Sequence, residues 1–279
     1  MTFSVNTNVG AQIALQSLNV TSSQLSATEK QISTGYRVAD ATDDGAAYAV
    51  AQRVRSDVGA LTSANQQLGN VQGLLDTTNA GLNKASNDLN SLNAVLVKLA
   101  DGNTQGSQRT QYQTQYANLV SQIKNDLNGA NYNGKTLVGN IGGVPTGVTF
   151  GRTAVVQDQI GTTYGIATFG ANGLYTSINV ASFTSTHAQS FLTGTFANAL
   201  TTISDQLNNY GAASNYVGSQ ISYNNDKIDA LNSGLGSLID ADLAKESAQL
   251  QALQVRQQLG TQALSLANQA PQSLLSLFK

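Results

Sequence analysis

The chain of 279 residues has no cysteine, no tryptophan, a single histidine and only 6% aromatic residues. Without cysteine there can be neither disulfides nor thiolate metal sites. The one histidine, His187 in FTSTHAQSF, is not part of an HExxH pattern, so a zinc site or a Ser-His-Asp triad would have to rest on it alone. It reads instead as a surface polar residue in a loop, and no cofactor, metal or catalytic residue is expected. Charge is also scarce: 11% of residues are charged, the fourteen Lys and Arg are scattered, and the formal net charge is -2. No basic surface is available to neutralise phosphates, which excludes nucleic acid as a partner. No run approaches the ~18 uninterrupted apolar residues of a membrane span. The opening MTFSVNTNVGAQIALQSLNV carries neither a basic n-region nor a continuous apolar h-region, so a general secretory signal is not expected there.

What is present is Leu, Ala, Val and Ile, together 41% hydrophobic with the other apolar types, on a background of Asn, Gln, Ser and Thr. That balance suits long helices packed through small side chains better than a compact core of aromatic rings. The spacing predicts a mainly α fold. A first helix covers residues 8–32, a long one 46–100 and a shorter one 108–128. Helical spacing returns at Phe196 and runs to the tail. At ~1.5 Å per residue the long helix is a rod of about 80 Å. Between 141 and 190, Gly, Thr and Ser with isolated apolar residues read as short strands and turns, a small β-rich insertion. Just before it, Asn133-Gly134 in ANYNGKTLVG is a hairpin signal.

The two ends are unusual in being apolar on two faces. In the first helix Ala11, Leu18, Leu25 and Ile32 recur every seven residues, joined by Ala14 and Leu15, while Val9, Ile13, Val20 and Ala27 lie opposite. In the tail, Ile239, Leu243, Leu250, Leu253 and Leu264 fall on one side and Ala248, Ala252, Val255, Leu259, Ala263 and Leu266 on the other. A helix docked on its own domain buries one stripe, and a seven-residue repeat is the seam of a coiled coil. An internal bundle would cover a helix all round, but two terminal helices cannot cover all four of their own apolar faces. The remaining faces are expected to meet other copies, in heterologous contacts that build a ring or an open helical filament.

Other chemistry was weighed and set aside. Asp240 and Asp242 point some 200° apart on a helix and share no face. With Glu246 they complement the positive end of the last helix. The Gly-rich pieces GNIGGVPTG and FGANGLY lack the GxxxxGK[ST] spacing that wraps phosphates. Asn19-Val20-Thr21 matches a glycosylation triplet but lies inside the first helix.

The run SVNTNVGAQIALQSLNVTSSQLSATEKQISTGYRVADATDDGAAYAVAQ resembles the start of bacterial flagellin, and DADLAKESAQLQALQVRQQLGTQALSLANQAPQSLLSLFK resembles its end. The turn Tyr132-Asn133-Gly134 is similar to the family's FNG turn, with Tyr in place of Phe. The resemblance covers residues 1–140 and 195–279. It implies that 1–35 and 240–279 pair as an inner coiled-coil layer and that 36–45 form a connecting spoke. It further implies an outer helical bundle from 46–140 and 191–239, with 141–190 as a surface insertion. Other flagellin subunits would then be the main partners, with an export chaperone, the filament cap and hook-junction proteins beside them, and export would use the flagellar type III channel. Hook–filament junction proteins share the terminal pattern and are the alternative. Family members that activate the vertebrate flagellin receptor carry a segment of the type RVRELAVQ. The matching run from Val95 to Gly102 lacks both arginines and has Lys98 in place of the acidic residue, which implies no receptor activation. The Ser and Thr of the insertion are either acceptors of O-linked glycans, as in some flagellins, or unmodified. Tyr164, Phe169, Tyr175 and Phe183 are either sugar-stacking residues or core.

Overall fold

The computed structural model describes residues 7–276, with side chains as far as Gln269. The outermost residues of the two terminal stretches lie outside the described residues. Among the described residues seven α-helices and six short strands follow in order. Helix α1 is Val9–Thr34, α2 Gly45–Ala100 and α3 Gly106–Gly129. The strands are β1 Lys135–Thr136, β2 Val138–Gly139, β3 Thr149–Phe150, β4 Thr153–Val156, β5 Thr163–Ile166 and β6 Phe169–Gly170. Then come α4 Asn172–Ile178, α5 Ser185–Phe191, a π-helical turn Leu192–Phe196, α6 Ala197–Ile239 and α7 Leu243–Ser276. The fold is mainly α.

Helix starts follow side-chain capping. Asn8 accepts the Ala11 N–H at 3.0 Å to open α1. Asp44 Oδ1 accepts those of Ala46 and Ala47, both at 3.0 Å, to open α2, and Thr184 accepts that of His187 at α5. Each satisfies donors that the first turn leaves without intrahelical partners. Helix α1 stops at Gly35, whose φ of 73° lets its N–H return to the Gln31 carbonyl.

Two compact units are formed: Met1–Ser56 with Ala230–Lys279, and Asp57–Asp229. In the second, Leu61, Leu68, Leu75, Leu82, Leu89 and Leu96 recur at intervals of seven along α2 and are all fully buried. Ala64, Val71, Thr78, Ala85, Leu92 and Leu99, each three residues later, are buried with them, giving the two apolar lines of a coiled-coil seam. Thr78 is tolerated there because its hydroxyl donates to the Leu74 carbonyl at 2.7 Å. Tyr116, Val120, Ile123 and Leu127 of α3 and Phe196, Ile203, Tyr210 and Val217 on the α6 side join the same core.

The region expected to be strands and turns departs from that reading. It contains the short helices α4 and α5 as well as strands, and the helix that leads to Ile239 begins at Ser185. The physical reason is the π turn. Ala188, Phe191, Phe196, Ala199 and Ile203 are all buried, but the five-residue step from Phe191 to Phe196 breaks the three-four spacing of an α-helix. One wide turn absorbs the extra residue. His187 accordingly sits in a helix rather than a loop, with its ring 5.2 Å from that of Phe183.

The strands pair as β1 with β3 and β2 with β6, both parallel, and β4 with β5, antiparallel. At Asn133-Gly134, with φ of 47° and 74°, the expected turn forms and Tyr132 and Lys135 exchange both backbone hydrogen bonds, at 2.8 and 2.9 Å. The ladder stops at that one pair, because β1 turns away to pair with β3 in register Lys135↔Thr149. The longer hairpin is β4–β5, from Thr153↔Ile166 to Val156↔Thr163.

Candidate assembly surface

Helices α1 and α7 pack on each other in antiparallel sense. Asn8 donates its side-chain amide to the Ala267 carbonyl at 2.7 Å, and a Cβ on Gly260 would stand 3.2 Å from the Leu18 side chain. On α1 the covered line is Ala11, Ala14, Leu18, Thr21, Leu25, Thr28 and Ile32; on α7 it is Glu246, Leu250, Leu253, Gln257, Gly260, Leu264 and Ala267. Both repeat with alternating steps of three and four. Thr21 and Thr28, at 6% and 2% exposure, are the most buried residues of α1, and an apolar count passes over both. Their signal is positional: Thr21 stands seven residues and Thr28 fourteen along from Ala14 in the same line.

The opposite faces are open. Val9, Ile13 and Val20 on α1 and Val255, Leu259 and Leu266 on α7 lie between 52% and 67% exposed. Three residues that the spacing groups with the covered lines take other places. Leu15 flanks the seam and is exposed, and Leu243, half exposed, is the first residue of α7 at the end where α1 gives way to Gly35. Ile239 ends α6 and is buried with Val38, Ala47 and Ala51 in a small separate core.

Residues 35–44 are held in shape by backbone and charge. The Arg37 and Val38 N–H groups donate to the Ile239 carbonyl at 2.7 and 3.2 Å, and the Ala241 N–H donates to that of Gly35 at 3.0 Å. The Lys30 ammonium sits 2.7 Å from Asp40 and 2.8 Å from Asp43. That ammonium, together with the Thr42 hydroxyl and N–H, holds the Asp40 carboxyl well below the usual range. Asp43 is lowered by Lys30 and by the Ala39 N–H. Asp242 accepts the Ala244 and Lys245 N–H groups, both at 3.1 Å, as the cap of α7, and Glu246 lies in its first turn.

The turn residue Tyr132 lays its ring on α2, where a Cβ on Gly73 would come within 2.9 Å of it. Two buried tyrosines tie the insertion down. Tyr116 donates to the Ile178 carbonyl, and Tyr210 donates to those of Leu137 and Ala167, both at 3.1 Å. Burial pushes both phenols upward. Arg109, which sequence reading passed over, spends its guanidinium on four backbone carbonyls, those of Leu99, Asp101, Thr104 and Phe183. Of the aromatics considered for sugar stacking, Phe183 is buried. Tyr164 stacks on Tyr216 at 4.3 Å, and Phe169 and Tyr175 pack against the main core. Among the described residues no group of three or more metal-ligating side chains occurs.

Residues 5–142 match the model of the bacterial flagellin N-terminal helical region, and residues 193–278 match that of the C-terminal helical region. The chain belongs to the bacterial flagellin family. It is a structural subunit of the flagellar filament that self-assembles, and not an enzyme. The two matches leave out residues 143–192. Whole-length relatives include flagellin FljK of Caulobacter vibrioides, 33% identical over 276 residues and covering 99% of this flagellin and 98% of the relative. A flagellin of Brucella melitensis is 34% identical over 283 residues, covering 99% of each. Among solved structures, Bacillus cereus flagellin has a TM-score of 0.51 at 18% identity, covering 57% of this flagellin and 88% of that chain. A putative flagellar hook-associated protein from Vibrio parahaemolyticus has a TM-score of 0.54 at 13% identity, covering 71% and 100%. At those identities the likeness shows the fold, which this flagellin shares with both kinds of flagellar protein.

Proposed function

We propose that the open faces of α1 and α7 are the surfaces through which copies of this flagellin polymerise. Residues 1–35 with 240–279 form the inner layer of the filament and 36–45 the spoke. Residues 46–140 with 191–239 form the outer bundle, and 141–190 face solvent. The observation that carries the reading is the second apolar stripe, Val9, Ile13 and Val20 with Val255, Leu259 and Leu266, exposed beside a seam already closed within the chain. Burying a Val, Ile or Leu side chain contributes about 1.5–3 kcal/mol, so six on each subunit favour association even after ordering is charged against them. Contacts between unlike faces of identical subunits can extend without closing, as a helical polymer requires.

Delivery would be through the flagellar type III channel, and an export chaperone would cover the apolar stripes before assembly. The filament cap and hook-junction proteins are the partners at the two filament ends. Seeded polymerisation tests the assembly surface: purified chain, with and without residues 240–279, is mixed with filament fragments and followed by sedimentation and negative-stain imaging. Long filaments from the full chain and none from the truncation are expected. Filaments from both would remove the tail from the assembly surface.

A further inference from the structure

Ile160 is the most exposed large apolar side chain among the described residues, at 80%. It stands at the tip of the β4–β5 hairpin, and the tip is held rigid. Asp158 Oδ1 accepts the Ile160 N–H at 3.1 Å and the Thr162 N–H at 2.9 Å. The Gln157 carbonyl accepts from the side-chain amides of Asn224 and Gln220, at 2.9 and 3.2 Å, and Lys227 reaches Gln159 at 2.9 Å. An apolar side chain presented on a tip braced by hydrogen bonds is preorganised for a contact, and the described residues leave it 80% exposed.

The same unit carries a cavity of about 220 Å³ that would receive it. Buried Val71, Leu74 and Val155 form the floor, with Tyr132, Asn70 and Lys135 at the rim. Two other cavities fit an aliphatic side chain poorly. One is lined chiefly by Gln72, Ser214, Ser219, Ser222 and Asp226, and in the other Ser177, Thr195, Asn198 and Thr202 interrupt the apolar Phe169, Leu174 and Ala199.

We propose that in the filament Ile160 of one copy inserts into the Val71–Leu74–Val155 cavity of a neighbouring copy, with Asp158 brought beside the Lys135 ammonium. This rests on the filament reading and adds a second contact, outside the terminal helices. The occupant is a second copy because knob and cavity belong to one chain, opposite charges flank them, and the tip's bonds to α6 keep it out of its own cavity. A knob and a socket at different places on one subunit make a heterologous contact that repeats along a polymer.

The chain's lack of cysteine makes the test clean. Full-length wild type, Ile160→Ser and the double variant Ile160→Cys/Asn70→Cys are polymerised on filament seeds. Ile160→Ser is expected to leave roughly tenfold more unpolymerised subunit at equilibrium. The double variant is expected to give a ladder of disulfide-linked multimers on mild oxidation of filaments and none from dilute monomer. Filaments of the double variant that yield no ladder overturn the proposal, as does an Ile160→Ser chain whose residual monomer matches wild type. If wild type itself never polymerises, the filament reading fails and takes this contact with it, an outcome distinct from filaments without a ladder.

Discussion

Asn224 is fully buried and has no freedom to be replaced. Its side-chain amide donates to Asn65 at 2.8 Å and to the Gln157 carbonyl at 2.9 Å, while its oxygen accepts from Gln220 at 3.0 Å. Truncation to Ala would take from Asn65 the donor to its side-chain oxygen and leave the Gln157 carbonyl to Gln220 alone, and an unsatisfied buried group costs about 1–3 kcal/mol. Asn224→Ala should lower stability by roughly 2–3 kcal/mol in denaturant unfolding, and a loss below roughly 0.5 kcal/mol would mean that water replaces the amide. Gly73 makes the opposite case for space. Alanine is the better helix former by about 1 kcal/mol, yet its Cβ would lie 2.9 Å from the Tyr132 ring. Gly73→Ala should therefore lower the melting temperature in spite of its propensity, and Gly73→Ala combined with Tyr132→Ala should recover part of the loss. Neither residue is conspicuous in the sequence, where one is an Asn in a polar run and the other one glycine among 26.

Between elements, charge decides more than its scarcity suggests. Asp88 of α2 faces Asp126 of α3. Burial first, then the hydrogen bond and charge of Asp126, raise its carboxyl above the ordinary value, against the opposing pull of Lys84. Lys84 itself bonds Asp126 at 2.8 Å. A carboxyl raised on folding favours the folded state in its protonated form, so this contribution is present in acid and lost as pH rises through the folded value. Asp88→Asn should raise the melting temperature at pH 7 and leave it nearly unchanged at pH 4; an equal gain at both would rule out the raised carboxyl. The Lys30 clamp runs the other way. Asp40 and Asp43 are lowered on folding, so their contribution is present above the usual carboxylate range and lost as pH falls below it. Lys30 is raised, chiefly by Asp40 and then by Asp43, and its contribution is lost only as pH climbs past the ordinary lysine value. Residues 36–44 should thus keep their geometry from pH 5 to 9, seen as constant amide shifts, and loosen in stronger acid.

For the molecule as a whole, burial is uneven in a way that predicts dynamics. The line of leucines along α2 is fully enclosed, whereas α1 and α7 are covered on one stripe only and that stripe is thin, with Ala, Thr and Gly among its members. Helices with little tertiary cover are marginal in water. In subunits free in solution, amide exchange should be fast along 9–34 and 243–276 and slow along 61–99. Assembly into filaments should protect the first two segments strongly. Equal protection of all three before assembly would mean that the open stripes are covered within the monomer.

Much of this was legible in the residues. The heptad of α1, the Asn133-Gly134 turn and the second apolar faces of the terminal helices are all local or periodic signals. A helix writes its partners into the sequence at fixed intervals, and the lack of cysteine, histidine clusters and basic patches disposes of most chemistry on its own. The tertiary structure alone decided the rest. Which apolar line of each terminal helix closes within the chain, and which stays open, depends on how α1 and α7 meet. The π turn exists because Phe191 and Phe196 must both reach one core, and the helices α4 and α5 arise where strands were expected because burial outweighs weak local preference. The buried threonines, Arg109, Asn224 and the exposed tip at Ile160 owe their roles to partners distant in the chain, and no local spacing encodes those.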